Sequence, residues 1–255
     1  MDTSPGETSP IHGVSRSSPQ TAALDLCELA NSLVVADEAS AIAALELAAR
    51  VGGADAAMFV WVIPDDYLCR YRSIAALDHD WSASALRRLH SGPHDWLGHV
   101  ARSSEPVLVH EAIDADDEAI DEDTASMRGR RAIWLIPAPS PRNSDLFGLL
   151  LLAGEDEQRL AVAGRLMPVF RALALALSDW FQRRGRDELV VRARLTATDI
   201  DLLHRESRGQ CSKRIADALN TRPKAIDTRF HRLIGRLGVT SRRDAVRLCR
   251  RYGLL

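Results

Sequence analysis

Between Thr196 and Asp244 the chain carries helix start and stop signals so closely spaced that only short helices fit between them. Thr196-Ala-Thr-Asp199 is a capping-box pattern, in which a threonine oxygen accepts from an orphan N–H and the acid reaches back to the cap. The helix it opens carries Ile200, Leu202 and Leu203 and stops at Gly209. A second helix, about Ser212–Leu219, has Ile215, Ala216 and Leu219 as its apolar side. The turn Asn220-Thr221-Arg222 leads to Pro223, whose fixed φ suits a first helical position. A third helix then runs to about Leu237 and ends at Gly238, a left-handed stop. Ser241-Arg-Arg-Asp244 is a second capping box and opens a fourth helix with Ala245, Val246 and Cys249 inward.

On a wheel of about 100° per residue, Ile226, Phe230, Leu233, Ile234 and Leu237 share one arc of the third helix. Ala225, Thr228, Arg229, Arg232 and Arg236 share the opposite arc. Small residues let a helix approach base edges, and a guanidinium can donate twice to a guanine or once to a phosphate. A short helix and tight turn before such a surface predict a helix-turn-helix. Charge points the same way. Residues 183–255 hold 19 Arg or Lys against 8 Asp or Glu, a net of +11, whereas residues 1–182 hold 14 against 27, a net of −13. A split of that size predicts two domains with different partners, the basic one facing nucleic acid.

Leu195-Thr196, Gly209, Lys213, Ile215-Ala216, Leu219, Ile226, Leu237-Gly238-Val239, Arg242 and Ala245-Val246 resemble the LuxR-type DNA-binding domain over about residues 194–252, without gaps. The resemblance implies a four-helix domain whose third helix enters the major groove and whose fourth contributes to dimerisation. It implies DNA contacts at Ser212, Lys213, Arg222, Lys224, Ala225, Thr228, Arg229, Arg232 and Arg236. Several positions depart from the family pattern. Ser212 stands for Asn, Arg214 for Glu, Ala225-Ile226-Asp227 for Thr-Val-Lys, and Arg229 for His. Asp227 falls on a flank of the helix, where Arg214 or Arg243 is expected to neutralise it. Arg222 stands where the family has a capping Ser; it supplies no cap oxygen but can hold a phosphate at the helix end.

Residues 1–20, crowded with Ser, Thr, Pro and Gly, read as a disordered tail. Helices are expected at Thr21–Ala36 and Ala39–Arg50, and strands at Ala56–Ile63, Tyr67–Ala75, Pro106–His110, Ala132–Pro137 and Phe147–Ala153. Helical stretches fall near 82–90, 94–102 and 114–128, and one longer helix runs from about Gln158 to Gln182. The expected fold is an α+β sensor-like domain over 21–182, an antiparallel sheet with helices on both faces. Residues 183–193 read as a linker or helix extension, followed by the all-α four-helix helix-turn-helix domain over 194–255.

Leu97-Gly-His-Val-Ala-Arg-Ser-Ser-Glu-Pro-Val and Ile136-Pro-Ala-Pro-Ser-Pro, with Gly129 and Gly148, look like the autoinducer-binding domain of quorum-sensing LuxR regulators over about residues 22–180. That resemblance implies an N-acyl homoserine lactone held between sheet and helices, with a Trp on the lactone carbonyl and a Tyr and an Asp on the amide. Trp81 matches the tryptophan, but Ala85 stands for the tyrosine and His94-Asp95 for the Asp-Pro pair. Val109 falls near a later pocket tryptophan and Ile133 near a second glycine. Ordinary lactones are therefore expected to bind weakly or not at all, leaving another small apolar ligand or none. Trp61, Tyr71, Trp81, His94, Asp95, Trp96 and Trp134 are the candidate pocket residues. The eight acidic residues of 111–123 read as a solvated surface, and His79, His90, His94, His99 and His110 lack metal spacing.

No P-loop, G-x-S-x-G, H-E-x-x-H or Gly-rich dinucleotide turn is present, so the sequence predicts no enzyme and no cofactor. No apolar run approaches the roughly 20 residues of a membrane helix, and no signal peptide opens the chain. Cys27, Cys69, Cys211 and Cys249 form no CxxC and read as small buried hydrophobes in a cytoplasmic, reducing setting. The leading expectation is a homodimeric transcription regulator that binds double-stranded DNA, with RNA polymerase as a further candidate partner. The alternative is an interaction protein that heterodimerises with other LuxR-type regulators and titrates them.

Overall fold

Ala56–Pro64 is an unbroken apolar run, and in the computed structural model this segment is strand β1. Ala57, Phe59, Trp61 and Ile63 pack to one side of it, while Ala56, Met58, Val60 and Val62 pack to the other. A strand apolar on both faces must be covered on both. The structure describes residues 19–33, 37–64, 69–91, 96–112, 130–140 and 146–255. With β2 (Cys69–Leu77), β3 (Val107–Ala112), β4 (Arg130–Pro139) and β5 (Phe147–Gly154), β1 forms a sheet of order β2-β1-β5-β4-β3, antiparallel throughout.

Helices α1 (Pro19–Ser32), α2 (Glu38–Gly52), α5 (Glu157–Arg165) and α6 (Met167–Arg192) cover one face. Helices α3 (His79–Ser91) and α4 (Trp96–Arg102) cover the other. Gly148 lets the first layer close: a Cβ there would lie 2.3 Å from the Phe59 ring. The five strands and the two-sided cover match the sequence expectation. The helix expected over 114–128 lies outside the described residues, as do residues 1–18 of the expected tail.

One helix was expected from about Gln158 to Gln182, but the chain breaks at Leu166, and α5 and α6 meet at 80°. Pro168 is the physical reason. It lacks an N–H, and in a continuous helix its ring would meet the carbonyl four residues back; at the start of a new helix neither matters. Beyond Gln182 the helix does not stop. Residues 183–192 are the last turns of α6. Arg184 pairs with Glu38 at 2.7 Å, Glu188 pairs with Arg72 of β2 at 2.6 Å, and Arg183 donates to the Leu33 carbonyl at 3.0 Å. The same helix places Phe170, Leu177 and Phe181 in the sheet core and Leu189 in the core of the carboxy-terminal helices.

Those helices are α7 (Ala197–Ser207), α8 (Ser212–Ala218), α9 (Pro223–Leu237) and α10 (Arg242–Arg251). Thr196 and Asp199 make the expected reciprocal cap on α7, and Ser241 accepts from the Asp244 N–H on α10. Gly238 ends α9 at φ 68°, a conformation in which a Cβ would be strained. Ile226, Phe230, Leu233 and Leu237 are buried as the wheel requires, while Ile234 is only partly covered. Burial pushes the Cys249 thiol up to about 11, as for a small core hydrophobe, whereas Cys211, also expected inside, is exposed. No single described helix is long and apolar enough to cross a membrane.

Candidate nucleic-acid interface and sensor face

The start of α9 is built from Arg222 in extended conformation, Pro223 in the first turn, and no side-chain cap. That leaves the positive end of the helix dipole exposed beside the Arg222 and Lys224 side chains. Lys213, Arg222, Lys224, Arg229 and Arg232 are all exposed and make no ion pair among the described residues. Thr228 lies in the same exposed stretch, its hydroxyl donating to the Lys224 carbonyl at 2.9 Å, and Ala225 is half-buried.

Two further residues expected at this surface are engaged inside the protein. Arg236 donates to Asp199 Oδ2 at 2.7 Å and to the Arg194 carbonyl at 2.5 Å. It ties α9 to the start of α7 rather than reaching out freely. The wheel placed it on the exposed arc correctly, but the neighbouring cap carboxylate was not visible from α9 alone. Burial by itself would raise the Asp199 carboxyl, but bonds from Arg236 and Thr196 outweigh it and hold the group below the usual aspartate range. Ser212 is the other: its hydroxyl donates to Asp227 Oδ1 at 2.6 Å.

Asp227 is neutralised, but neither by Arg214 nor by Arg243. Arg242 donates to Asp227 Oδ1 at 2.6 Å and to Ser212 Oγ at 2.8 Å, and its guanidinium lies 4.2 Å from the Phe230 ring centre. The sequence did contain the signal. Arg242 precedes Val246 by four residues and Cys249 by seven, which sets it on the inward stripe of α10. The Ser212 hydroxyl and then Arg242 hold the Asp227 carboxyl below its ordinary range, so it is charged at neutral pH. Exposed His231, between Thr228 and Arg232, was not among the expected residues.

The candidate pocket aromatics divide between the two faces of the sheet. Trp61 pairs across the sheet with Arg72, and Val62 with Tyr71, so Trp61 and Tyr71 point to opposite sides. Trp61 stacks on Phe181 at 6.0 Å and meets the Tyr252 edge at 6.2 Å, forming part of the junction between the two cores. Trp134 lies on the same side, its indole N–H donating to the Leu160 carbonyl at 3.3 Å. These two are corrections to the expected pocket. Tyr71, Trp81 and Trp96 do share the other face, with Ala85, Val109 and Ile133. His94 and Asp95 lie outside the described residues.

Trp81 is buried, and its indole N–H has no hydrogen-bond partner among the described residues. The Arg131 guanidinium lies 5.8 Å from the Trp81 ring centre and is paired to Asp78 at 2.9 Å and Glu155 at 3.0 Å. A second pair, Arg88–Glu111 at 2.8 Å, closes the sheet end where Glu111 and Arg131 are register partners. Among the described residues no group of three or more His, Cys, Asp or Glu could hold a metal ion.

No family model and no curated protein matches the sequence. Solved structures match its fold. Escherichia coli SdiA is 13% identical, with a TM-score of 0.58 over 91% of this chain and 98% of that one. SdiA in complex with octanoyl-rac-glycerol is 14% identical, with a TM-score of 0.57 over 89% of this chain and 93% of that one. CepR2 from Burkholderia cenocepacia, described as an N-acylhomoserine lactone dependent LuxR family transcription factor, is 14% identical, with a TM-score of 0.45 over 63% of this chain and 97% of that one. From the sheet through the carboxy-terminal helices, the chain shares the fold of Escherichia coli SdiA.

Proposed function

We propose that the chain is a cytoplasmic LuxR-type transcription regulator that binds double-stranded DNA as a homodimer through α8 and α9. The observation that carries this reading is the strip Lys213, Arg222, Lys224, Arg229 and Arg232, exposed and without carboxylate partners among the described residues, on helices whose other faces are core. In a chain of net charge −2, such a strip is a local electrostatic footprint. Helix α9 enters the major groove. Arg222 and the uncapped helix end meet phosphate, and Arg229 reaches a base edge. Two copies would read half-sites about 34 Å apart. RNA polymerase is a candidate partner of the bound dimer.

The sensor face takes a small, largely apolar ligand with one acceptor group. Leaving a buried donor unsatisfied costs on the order of 1–3 kcal/mol, and a ligand carbonyl on the Trp81 N–H relieves that cost. A second reading is an interaction protein that pairs with other regulators and withholds them from DNA. It is favoured by one observation, the Asp227 carboxylate on the outer surface of α9.

Arg229→Ala separates base reading from simple charge. Specific binding should weaken by about 1–3 kcal/mol while binding to random duplex changes far less. Competition binding with the two DNAs checks this, and an equal loss on both would make Arg229 a phosphate contact. Failure of the unmodified protein to bind any duplex would leave the titrating interaction protein as the better reading.

A further inference from the structure

Asp227 is a carboxylate on the helix that also carries Lys224, Arg229 and Arg232, and the structure holds it in a way that a merely tolerated acid would not need. It lies in the second turn of α9 with its side chain 55% exposed. The Ser212 hydroxyl and the Arg242 guanidinium both bond to the same oxygen, Oδ1, each at 2.6 Å. Arg242 also holds Ser212 at 2.8 Å and is itself stacked on Phe230, so the carboxylate is anchored to a rigid support. The other oxygen, Oδ2, takes part in no hydrogen bond or ion pair with a described residue. Its neighbours on the helix surface, Lys224, Thr228 and His231, are all exposed.

We propose that Asp227 is a specificity-determining residue that selects cytosine, Oδ2 accepting a hydrogen bond from the exocyclic amino group in the major groove. This inference rests on the DNA-binding reading above. The chemistry of the base edges restricts the choice. Guanine presents only acceptors there, and thymine an acceptor and a methyl group, so both repel or ignore a carboxylate. Adenine has an amino donor, but its N7 acceptor beside it opposes the carboxylate. Cytosine offers its amino group with no such acceptor on the same base. Arg242 offsets the charge that would otherwise repel phosphate. Because the Oδ1 side is already fixed, little side-chain freedom is lost when Oδ2 engages.

A brace that merely positions Arg242 would use the same Oδ1 contacts, so the test must read sequence preference and not only affinity. The full chain, Asp227→Ala and Asp227→Asn are each used to select duplexes from a randomised pool at one salt concentration. The unmodified protein should enrich cytosine at one position of each half-site. Asp227→Ala should lose that preference by about tenfold or more, with the other positions kept. Asp227→Asn should move the preference to adenine, because an amide can both accept from N6 and donate to N7. An unchanged preference in both variants, with affinity altered equally on all sequences, would overturn the proposal and leave DNA binding intact. A pool from which the unmodified protein selects nothing would overturn the DNA-binding reading itself, a separate and visible result.

Discussion

N-acyl homoserine lactones of any common chain length should fail to stabilise this protein at submicromolar concentration. The sensor face explains why. Trp81 offers one donor with no partner among the described residues, enough for one ligand carbonyl. Ala85, where the family resemblance implies a tyrosine, is fully buried and offers no side-chain polar atom. Val109 and Ile133 line the same face and are apolar. A lactone's amide N–H and second carbonyl would lose their water without finding these partners, at about 1–3 kcal/mol each. Two such losses amount to roughly one and a half to four decades of affinity. An acyl ligand with a single carbonyl leaves no second polar group unpaired. Thermal-shift titrations distinguish the two. A ligand at a hundred times its Kd stabilises by about 2.7 kcal/mol, a shift of several degrees for a chain of this size. Such a shift at submicromolar lactone would contradict this account of the pocket.

Asp199→Ala should destabilise the carboxy-terminal helices by about 2–4 kcal/mol. One carboxylate there accepts from the Thr196 N–H, the Thr196 hydroxyl and Arg236, and the side chain is only 12% exposed. Removing it deletes half of the α7 capping box and leaves the Arg236 guanidinium without its carboxylate. Arg236 is then free to turn outward, so non-specific DNA affinity should rise even as stability falls. Chemical denaturation and random-duplex binding measure the two effects. The pH dependence follows from the same bonds. The Asp199 carboxyl is held below its ordinary value of 3.8, so its contribution is present at neutral pH. That contribution is lost as pH falls below about 4, through the folded-state value, because the unfolded chain then binds more protons. Asp227 and Asp244 are shifted in the same direction, so acid should loosen α7–α10 in that window.

Much of this was legible in the sequence because short-range chemistry decides it. Thr196, Asp199, Pro223, Gly238 and Ser241 each act within one helical turn, and the helix ends they mark are those observed. The five strands were legible as short, largely apolar runs between turn residues. What could not be read were contacts set by pairing between distant segments. Residue parity puts Trp61 with Phe59 and Ile63, but only the register Val62↔Tyr71 shows that this side is opposite to Tyr71. Trp134 was misplaced for the same reason: its neighbours Leu108 and Leu152 come from other strands. The Arg236–Asp199 pair spans 37 residues, and no local pattern announces it. Pro168 was the opposite failure, a local signal overridden by an apolar stripe that continues across the break.

Whether α8 and α9 form a DNA-binding surface is tested most directly by measuring affinity of the full chain for a selected duplex across a salt series. Each phosphate contact contributes a slope of about −0.9 in log K against log salt, so Lys213, Arg222, Lys224 and Arg232 predict roughly −3 to −4 per protomer and about −7 for the dimer. Affinity of the dimer should fall by about four decades between 50 and 200 mM salt. An affinity that barely changes over that range, or no binding at the lowest salt, would contradict the assignment of Lys213, Arg222, Lys224, Arg229 and Arg232 to a DNA interface.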